Sequence, residues 1–362
     1  MRSARSSVAR RGSVLVSDHD DGNSRSAVAA VRALDEAGYS PVVTVAARRS
    51  AAGASRSCAG VLRVPPVGTP GYRKAVQEYV ATTPGAVVLA ASDAVLIALD
   101  LSGAALVDKA WLPQAAATAG LGVPRTREFT SAAHLLAAAD DLEYPLVIKA
   151  AVKTGSSENT QRIEGAGELP AAVTDLSQPV VVQPFAGGTM RAVCGVLADG
   201  RLLAAVHQTY VRIWPPDCGT ASAAITTEPD HDLEERLPHL LAGHVGVFQV
   251  QLIGDQVIDV NPRVYGSLPL AVAAGANLPA IACQAITGRY PSGLVRGRPG
   301  VRYRWLEGDV RRVLHDARTS ALTLGAAGRA LAPRRGTAHS VESLRDPGPA
   351  LVRLAAVARR LA

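Results

Sequence analysis

Short apolar runs alternate with polar turns and helical-period segments from the start of the chain. Residues 14–17 read as a strand, 18–23 as a polar loop, and 24–37 as a helix closed by Gly38, whose missing side chain suits a left-handed cap. A strand over 41–45, another over 61–64, a helix near 71–81 and a strand over 86–90 extend the alternation. This pattern predicts a small parallel α/β domain over residues 12–106. The loop 17–23 lies at a strand's carboxyl end, where open α/β sheets bind ligands, and is either a ligand-binding loop or a solvated turn. No Gly-x-Gly-x-x-Gly follows the first strand.

Beyond residue 107 the rhythm changes. An Ala-rich helix is expected over 108–119, a strand over 125–129, a helix capped by Ser131 running to 139, and a buried strand over 144–149 that ends in Lys149. A strand over 180–183 precedes three antiparallel strands between 190 and 227, a helix over 232–241 and an apolar hairpin turning at Gly254-Asp255. Helices over 268–274 and 279–287, a strand over 301–305 and a helix over 309–318 follow. A Gly/Arg/Pro connector over 325–337 leads to a final amphipathic helix over 349–361, and no internal repeat is visible.

The hairpin carries the most chemistry. Along Val257-Ile258-Asp259-Val260-Asn261-Pro262-Arg263, residues two apart share a face, so Asp259, Asn261 and approximately Arg263 lie together while Ile258 and Val260 fill the other side. Gln251, on the preceding strand, joins that polar face if the two-residue turn sets the register. A carboxylate, amide oxygens and a guanidinium in one patch suit a hard cation and phosphate, although a solvated edge would show the same spacing. Lys149 closes an apolar strand, where an ammonium needs an anion or must snorkel to water. The loop Lys153-Thr154-Gly155-Ser156-Ser157 just after it can offer N–H groups, hydroxyls and an ammonium to phosphate oxygens.

The Asp-Val-Asn-Pro-Arg segment, followed by Tyr-Gly-Ser-Leu-Pro-Leu-Ala, resembles the metal-binding motif of the ATP-grasp superfamily, usually Glu-x-Asn-Pro-Arg, in its carboxylate–amine ligase-like flavour. The similarity runs from about residue 14 to the end and is strongest over 108–285. It implies a multidomain α/β and α+β architecture: an N-terminal α/β domain over 12–106, small and central ATP-grasp subdomains over 107–184, a C-terminal subdomain over 185–330, and a connector with a terminal helix over 331–362. By the same resemblance Lys109 and Lys149 contact nucleotide phosphate, and the loop of Lys153, Gly155, Ser156 and Ser157 closes over the triphosphate. Gln183 and Phe185 meet adenine, while Gln251, Asp259 and Asn261 hold Mg²⁺, or Mn²⁺ in its place. Arg263, with Lys149, stabilises the transferring phosphoryl group, and Arg212, Gly266 and Ser267 face the substrate. Two departures stand out: Gln251 and the shorter Asp259 occupy positions where glutamate is commoner, and no acidic residue marks the hinge after Gln183.

Composition narrows the field. At 362 residues, nearly half of them apolar, the chain can bury a sizeable core in two or three domains. A net charge of +7 without basic runs interleaved with aromatics favours a solvated basic surface over a nucleic-acid binder, and no nucleic-acid partner is expected. Cys58, Cys194, Cys218 and Cys283 are widely spaced, which argues against a zinc site or disulfide framework, and Cys218 has no neighbouring His to activate it. The apolar run at 14–16 is too short for a signal-peptide core, Arg10-Arg11 alone is a poor twin-arginine signal, and no long apolar stretch reaches membrane-spanning length. The expectation is a cytoplasmic enzyme with no membrane partner, a homodimer by the ordinary prior. Its resemblance implies an ATP-dependent ligase that joins small, amino-acid-like carboxylates and amines through an acyl-phosphate. Gln251 keeps two alternatives open: a carboxylase or carbamoyl-forming enzyme, and an ATP-binding module that has lost catalysis.

Overall fold

The computed structural model describes residues 10–18, 21–152, 160–174 and 178–361. The first layer is a four-stranded parallel sheet in the order β3-β2-β1-β4, made of β1 (Ser13–Ser17), β2 (Ser40–Val45), β3 (Gly60–Arg63) and β4 (Val87–Ala90). It is crossed by α1 (Arg25–Glu36), α2 (Pro70–Thr82) and α3 (Asp93–Leu99). Ser24, Thr69 and Ser92 each cap the helix that follows by accepting a backbone N–H, an interaction worth about 1 kcal/mol per helix.

After α4 (Leu112–Thr118), a small antiparallel sheet in the order β5-β8-β6-β7 comprises β5 (Arg127–Phe129), β6 (Leu146–Ala150), β7 (Gln161–Ile163) and β8 (Val180–Pro184), with α5 (Ala132–Ala137) and α6 (Leu169–Ala172) on it. The helix expected from Asp108 starts later, at Leu112, because Pro113 suits a first turn and Asp108 instead bends back to accept the Ala110 N–H at 2.9 Å. The freed backbone N–H of Lys109 reaches across to Ala151 O at 2.8 Å, beside the end of β6.

The largest sheet runs β13-β12-β9-β10-β11-β15-β16. Its strands are β9 (Met190–Ala198), β10 (Arg201–Trp214), β11 (Thr220–Thr226), β12 (Gly246–Ile253), β13 (Gln256–Asn261), β14 (Val295–Arg296, beside β10), β15 (Arg302–Arg304) and β16 (Thr337–His339). Helices α7 (His231–Leu240), α8 (Leu268–Ala273), α9 (Leu278–Ile286), α10 (Leu306–Arg318), α11 (Leu324–Leu331) and α12 (Gly348–Leu361) complete the chain. The connector expected over 325–337 is therefore mostly helix, and β16 extends the large sheet. Thr323 caps α11, and the Arg304 guanidinium donates to the carbonyls of Ala330 and Leu331 at its far end. That tertiary satisfaction of terminal carbonyls has no signature in a Gly-rich local sequence.

Separate hydrophobic cores hold the layers together. Ala27, Val28, Val31 and Leu34 of α1 share one core with Leu268, Leu270, Leu278 and Ile281 of α8 and α9 and with Cys194 and Val196 of β9. Each fully buried leucine or valine in it contributes roughly 1.5–3 kcal/mol, so the N-terminal layer and the large sheet are fused. The small sheet has its own core of Phe129, Leu135, Leu146, Ile148, Val180 and Val182. It faces the large sheet across a cleft.

Candidate active site

The cleft holds two cavities that share Lys109, Lys149, Thr160, Cys218, Gly219, Gln251 and Asp259 in their walls. The larger, about 580 Å³, runs from the small sheet along the β12–β13 hairpin to the N-terminal layer. The smaller, about 90 Å³, is lined by Pro124, Val147, Phe185, Met190, Ile253 and Ile258 and is a largely apolar slot between the two sheets.

The hairpin register pairs Gln251 with Asp259 and Gln249 with Asn261, which gathers their polar groups on the cavity wall. Asn261 Nδ2 donates to Asp259 Oδ2 at 3.0 Å, and its Oδ1 accepts from Arg263 Nη2 at 2.9 Å. Asp259 Oδ1 is buried without a hydrogen-bond donor, with Lys109 Nζ at 3.5 Å as its ionic neighbour. Burial pushes the Asp259 carboxyl upward, but Lys109, Lys149 and Arg263 outweigh it and hold the group below the usual carboxylate range. Gln251 Nε2 donates to Tyr210 Oη at 2.9 Å, a hydroxyl that also receives Gln249 Nε2 at 3.3 Å, so the Gln251 carbonyl oxygen is the end turned from that bond. One orphaned carboxylate oxygen flanked by amide oxygens is a donor set that fits a single hard cation whose remaining ligands are phosphate oxygens or water. Among the described residues no group of three or more His, Cys, Asp or Glu could hold a metal ion, here or elsewhere, so the hairpin set rests on one carboxylate and amide oxygens.

Lys149 bridges the sheets. Its ammonium donates to Gln183 Oε1 on β8 and to Ile258 O on β13, both at 3.0 Å, satisfying a carbonyl on the edge strand. Burial, reinforced by Lys109 though opposed by Asp259, lowers its pKa from the ordinary lysine value. Gln183 is buried and fixed from the other side by donating to Thr126 Oγ1 at 2.9 Å. Phe185 turns its ring into the smaller cavity beneath the Arg162 guanidinium, 4.1 Å from the ring centroid, while its backbone N–H is already given to Pro145 O.

Arg263 is anchored by a residue that sequence reading passed over. Its Nε donates to Asp93 Oδ1 at 2.5 Å, and Asp93 opens α3 at the carboxyl end of β4. The Ser92-Asp93 cap directly after an apolar strand was the available signal, since ligands gather at strand carboxyl ends in such sheets. Asp21 and Asn23 of the polar loop after β1 also line the larger cavity.

Gly266 and Ser267 are on the cavity wall as well. The Ser267 hydroxyl accepts from Gln208 Nε2 at 3.1 Å and Gln249 Nε2 at 3.4 Å. Arg212 is not there: it forks onto Asp309, with Nε at 2.6 Å and Nη2 at 3.0 Å, and that fully buried carboxylate also takes Arg304 at 3.0 Å. The expectation that Arg212 faces the substrate is corrected accordingly, because its charge is consumed by a buried partner. Arginine does reach the cavity at Arg25 and Arg353, together with Trp305 and Thr220, none of which the sequence singled out. Lys153, Gly155, Ser156 and Ser157 lie outside the described residues. The cysteines are free, and burial pushes the Cys218 thiol up, away from nucleophile activation. No helix among the described residues is long and apolar enough to cross a membrane.

Neither a protein-family model nor a curated protein sequence matches the chain. Solved structures do. An N5-carboxyaminoimidazole ribonucleotide synthetase in complex with ADP matches with a TM-score of 0.62 at 13% identity, covering 87% of both chains. The carboxyaminoimidazole ribonucleotide synthase from Aspergillus clavatus, in complex with ATP, gives 0.61 at 17% identity over 79% of this chain and 80% of that one. The L-amino acid ligase from Bacillus licheniformis gives 0.53 at 17% identity over 76% and 74%. The fold is thus the ATP-grasp fold, as the hairpin motif implied.

Proposed function

We propose that this chain, built on the ATP-grasp fold, is an ATP-dependent ligase joining a carboxylate to an amine through an acyl-phosphate. One observation carries the reading. Lys109, Lys149, Asp259, Asn261 and Arg263 converge from both sides of the cleft on one cavity, with a largely apolar slot sharing part of its walls. Phosphoryl transfer asks a protein for positioning and charge neutralisation, and that is what these side chains offer. The slot, lined by Phe185 and Ile258, would take adenine, and Lys149 and Lys109 would face the phosphates.

A carboxylate oxygen attacks the γ-phosphorus of ATP, the bond from phosphorus to the bridging oxygen breaks, and ADP leaves. Arg263, held rigid by Asp93, presents its remaining donors to the phosphoryl oxygens as charge shifts toward ADP. The amine nitrogen then attacks the acyl carbon, the C–O bond to phosphate breaks, and inorganic phosphate departs as the nitrogen gives up one proton to it or to water. A Mg²⁺ ion held by Asp259, Asn261 and Gln251 would neutralise phosphate charge. With only one carboxylate among those ligands, a single ion is the stoichiometry the site supports. The substrates in view are small carboxylates and amines.

ADP release that requires both a carboxylate and an amine tests the proposal; Asp259→Ala with undiminished turnover would sink it. Gln251, a neutral amide pinned by Tyr210, favours a second reading in which bicarbonate is the carboxylate. ADP formation that depends on bicarbonate would single it out.

A further inference from the structure

The N-terminal wall of the larger cavity is built by α1, Thr220, Gly266 and Trp305, and the ATP chemistry leaves it unused. Arg25 dominates it. Its guanidinium lies over the Trp305 ring, 3.8 Å from the centroid, and beside it sits Gly266, where an added Cβ would come within 3.2 Å of Arg25 Cζ. The cation therefore lies against both an aromatic face and a bare backbone, and a side chain at Gly266 would crowd it. Nη2 donates to Thr220 Oγ1 at 3.0 Å and Nη1 to Tyr303 Oη at 3.3 Å, two of the five N–H bonds a guanidinium has to give.

No carboxylate among the described residues lies within ion-pair distance of Arg25. Glu307, the acid whose field reaches it, is already paired with Arg311 at 3.0 Å and Arg353 at 3.1 Å. Asp21, on the same wall, accepts the Asn23 N–H at 2.8 Å, and Asp93 is committed to Arg263. Burial depresses the Arg25 pKa, yet a guanidinium remains charged. Half-buried on the cavity wall, the guanidinium presents an unpaired positive charge and free donors to whatever fills the cavity. The first turn of α1 adds to this, because Ser24 caps the Ala27 N–H and leaves those of Arg25 and Ser26 on the same cavity wall.

We propose that Arg25, lying against Trp305 and Gly266, anchors an oxyanion, carboxylate or phosphomonoester, carried by the amine substrate, so that the acceptor is an anionic amine. Naming the ligand an amine rests on the ligase reading; the anion site itself does not. The carboxylate that is activated is consumed beside Asp259 and Arg263, so an oxyanion at Arg25 belongs to the molecule that arrives second, with its nitrogen toward the acyl carbon and its tail toward α1.

The test compares amino acids, their carboxamides and O-phosphoethanolamine as ligands of the intact protein by calorimetry, and as acceptors by ADP release. The wild type is expected to bind an anionic amine at least about ten-fold more tightly than its neutral counterpart, and Arg25→Met to erase that preference while ATP affinity changes less than about two-fold. Arg25→Lys, which keeps the charge and loses the fork, should fall between and covers the case in which the methionine variant fails to fold. Preference for amino acids identifies the carboxylate source, and preference for O-phosphoethanolamine the phosphate. Equal binding of carboxamides, no anion binding at tens of millimolar ligand, or a preference that survives in both variants would overturn the anchor. Arg25-dependent anion binding with no ADP release from any substrate pair would leave the anchor standing and remove the ligase reading. ADP release with no anion preference would do the reverse.

Discussion

The two ends of the larger cavity handle charge in opposite ways. At the hairpin end every ion has an internal answer: Asp259 faces Lys109, Lys149 is tied to Gln183 and Ile258 O, and Arg263 is clamped by Asp93. At the α1 end Arg25 has an aromatic face, a hydroxyl and a phenol for company and no anion within ion-pair reach among the described residues. The first end is preorganised around a ligand of fixed chemistry, a nucleotide triphosphate in the proposed function. The second waits for its counter-charge, which makes it the place where substrate identity is chosen.

Changes at the hairpin end should therefore cost the most. Asp259→Ala leaves two ammonium groups facing a void, and ADP release measured by a coupled assay should drop by about a thousand-fold or more. Asp93→Ala frees Arg263 without touching the hairpin; the expectation is a loss of about 10- to 100-fold in kcat, with ATP affinity by calorimetry nearly unchanged. A larger effect on ATP affinity than on kcat would mean that the Asp93–Arg263 pair serves binding. At the other end, Trp305→Ala should raise KM for the amine about five- to ten-fold and leave kcat within a factor of two, as expected for a lost cation–π support of roughly 1 kcal/mol.

Titration gives a subtler contrast. The Lys149 pKa is lowered, so in nucleotide-free protein its ammonium is lost at a lower pH than an ordinary lysine's. ATP affinity should then begin to fall on the alkaline side before pH 10.5, the ordinary lysine value, and a profile that stays flat beyond it would contradict the burial argument. The smallest effect belongs to a contact outside the cavity. Asp346 accepts from Arg32 Nε at 2.8 Å, Ser55 Oγ at 2.7 Å and the Arg56 N–H at 2.8 Å, and ties the segment before α12 to the N-terminal layer. Burial opposes its ionisation, but these donors outweigh it and hold its pKa down. Its stabilisation is present above the unfolded-state carboxyl pKa and is lost as pH falls through the lower folded value. Asp346→Ala should cost about 1–3 kcal/mol by denaturant unfolding at neutral pH, and less as the pH falls through its lowered carboxyl pKa.

The same contrast explains what was readable beforehand. The hairpin chemistry sits within a few consecutive residues, so strand periodicity alone aligns Asp259 with Asn261, and a two-residue turn brings Gln251 opposite. The α1 end is assembled from positions 25, 220, 266, 303, 305 and 353, on elements far apart in sequence, and no local pattern marks an arginine in a helix's first turn as anything but solvated. Arg212 failed in the opposite direction. Only the resemblance pointed it toward the substrate; it lies within β10 and is taken by Asp309, a carboxylate whose complete burial could not be anticipated from the first turn of an amphipathic helix. Helix and strand positions were legible through period and caps. The α11 segment was not, because Arg304 from another element finishes it.

The Asp93–Arg263 bond joins a residue of the N-terminal layer to the last residue of the Asn-Pro-Arg motif, across 170 positions of chain. Domain shuffling must respect that link. An N-terminal layer borrowed from another protein of this fold would supply α1 and its specificity wall, but unless it also placed an acid at the start of α3 it would leave the phosphoryl-handling arginine adrift. Recombination that means to change the substrate would then silence the chemistry, and the two halves can be expected to travel together.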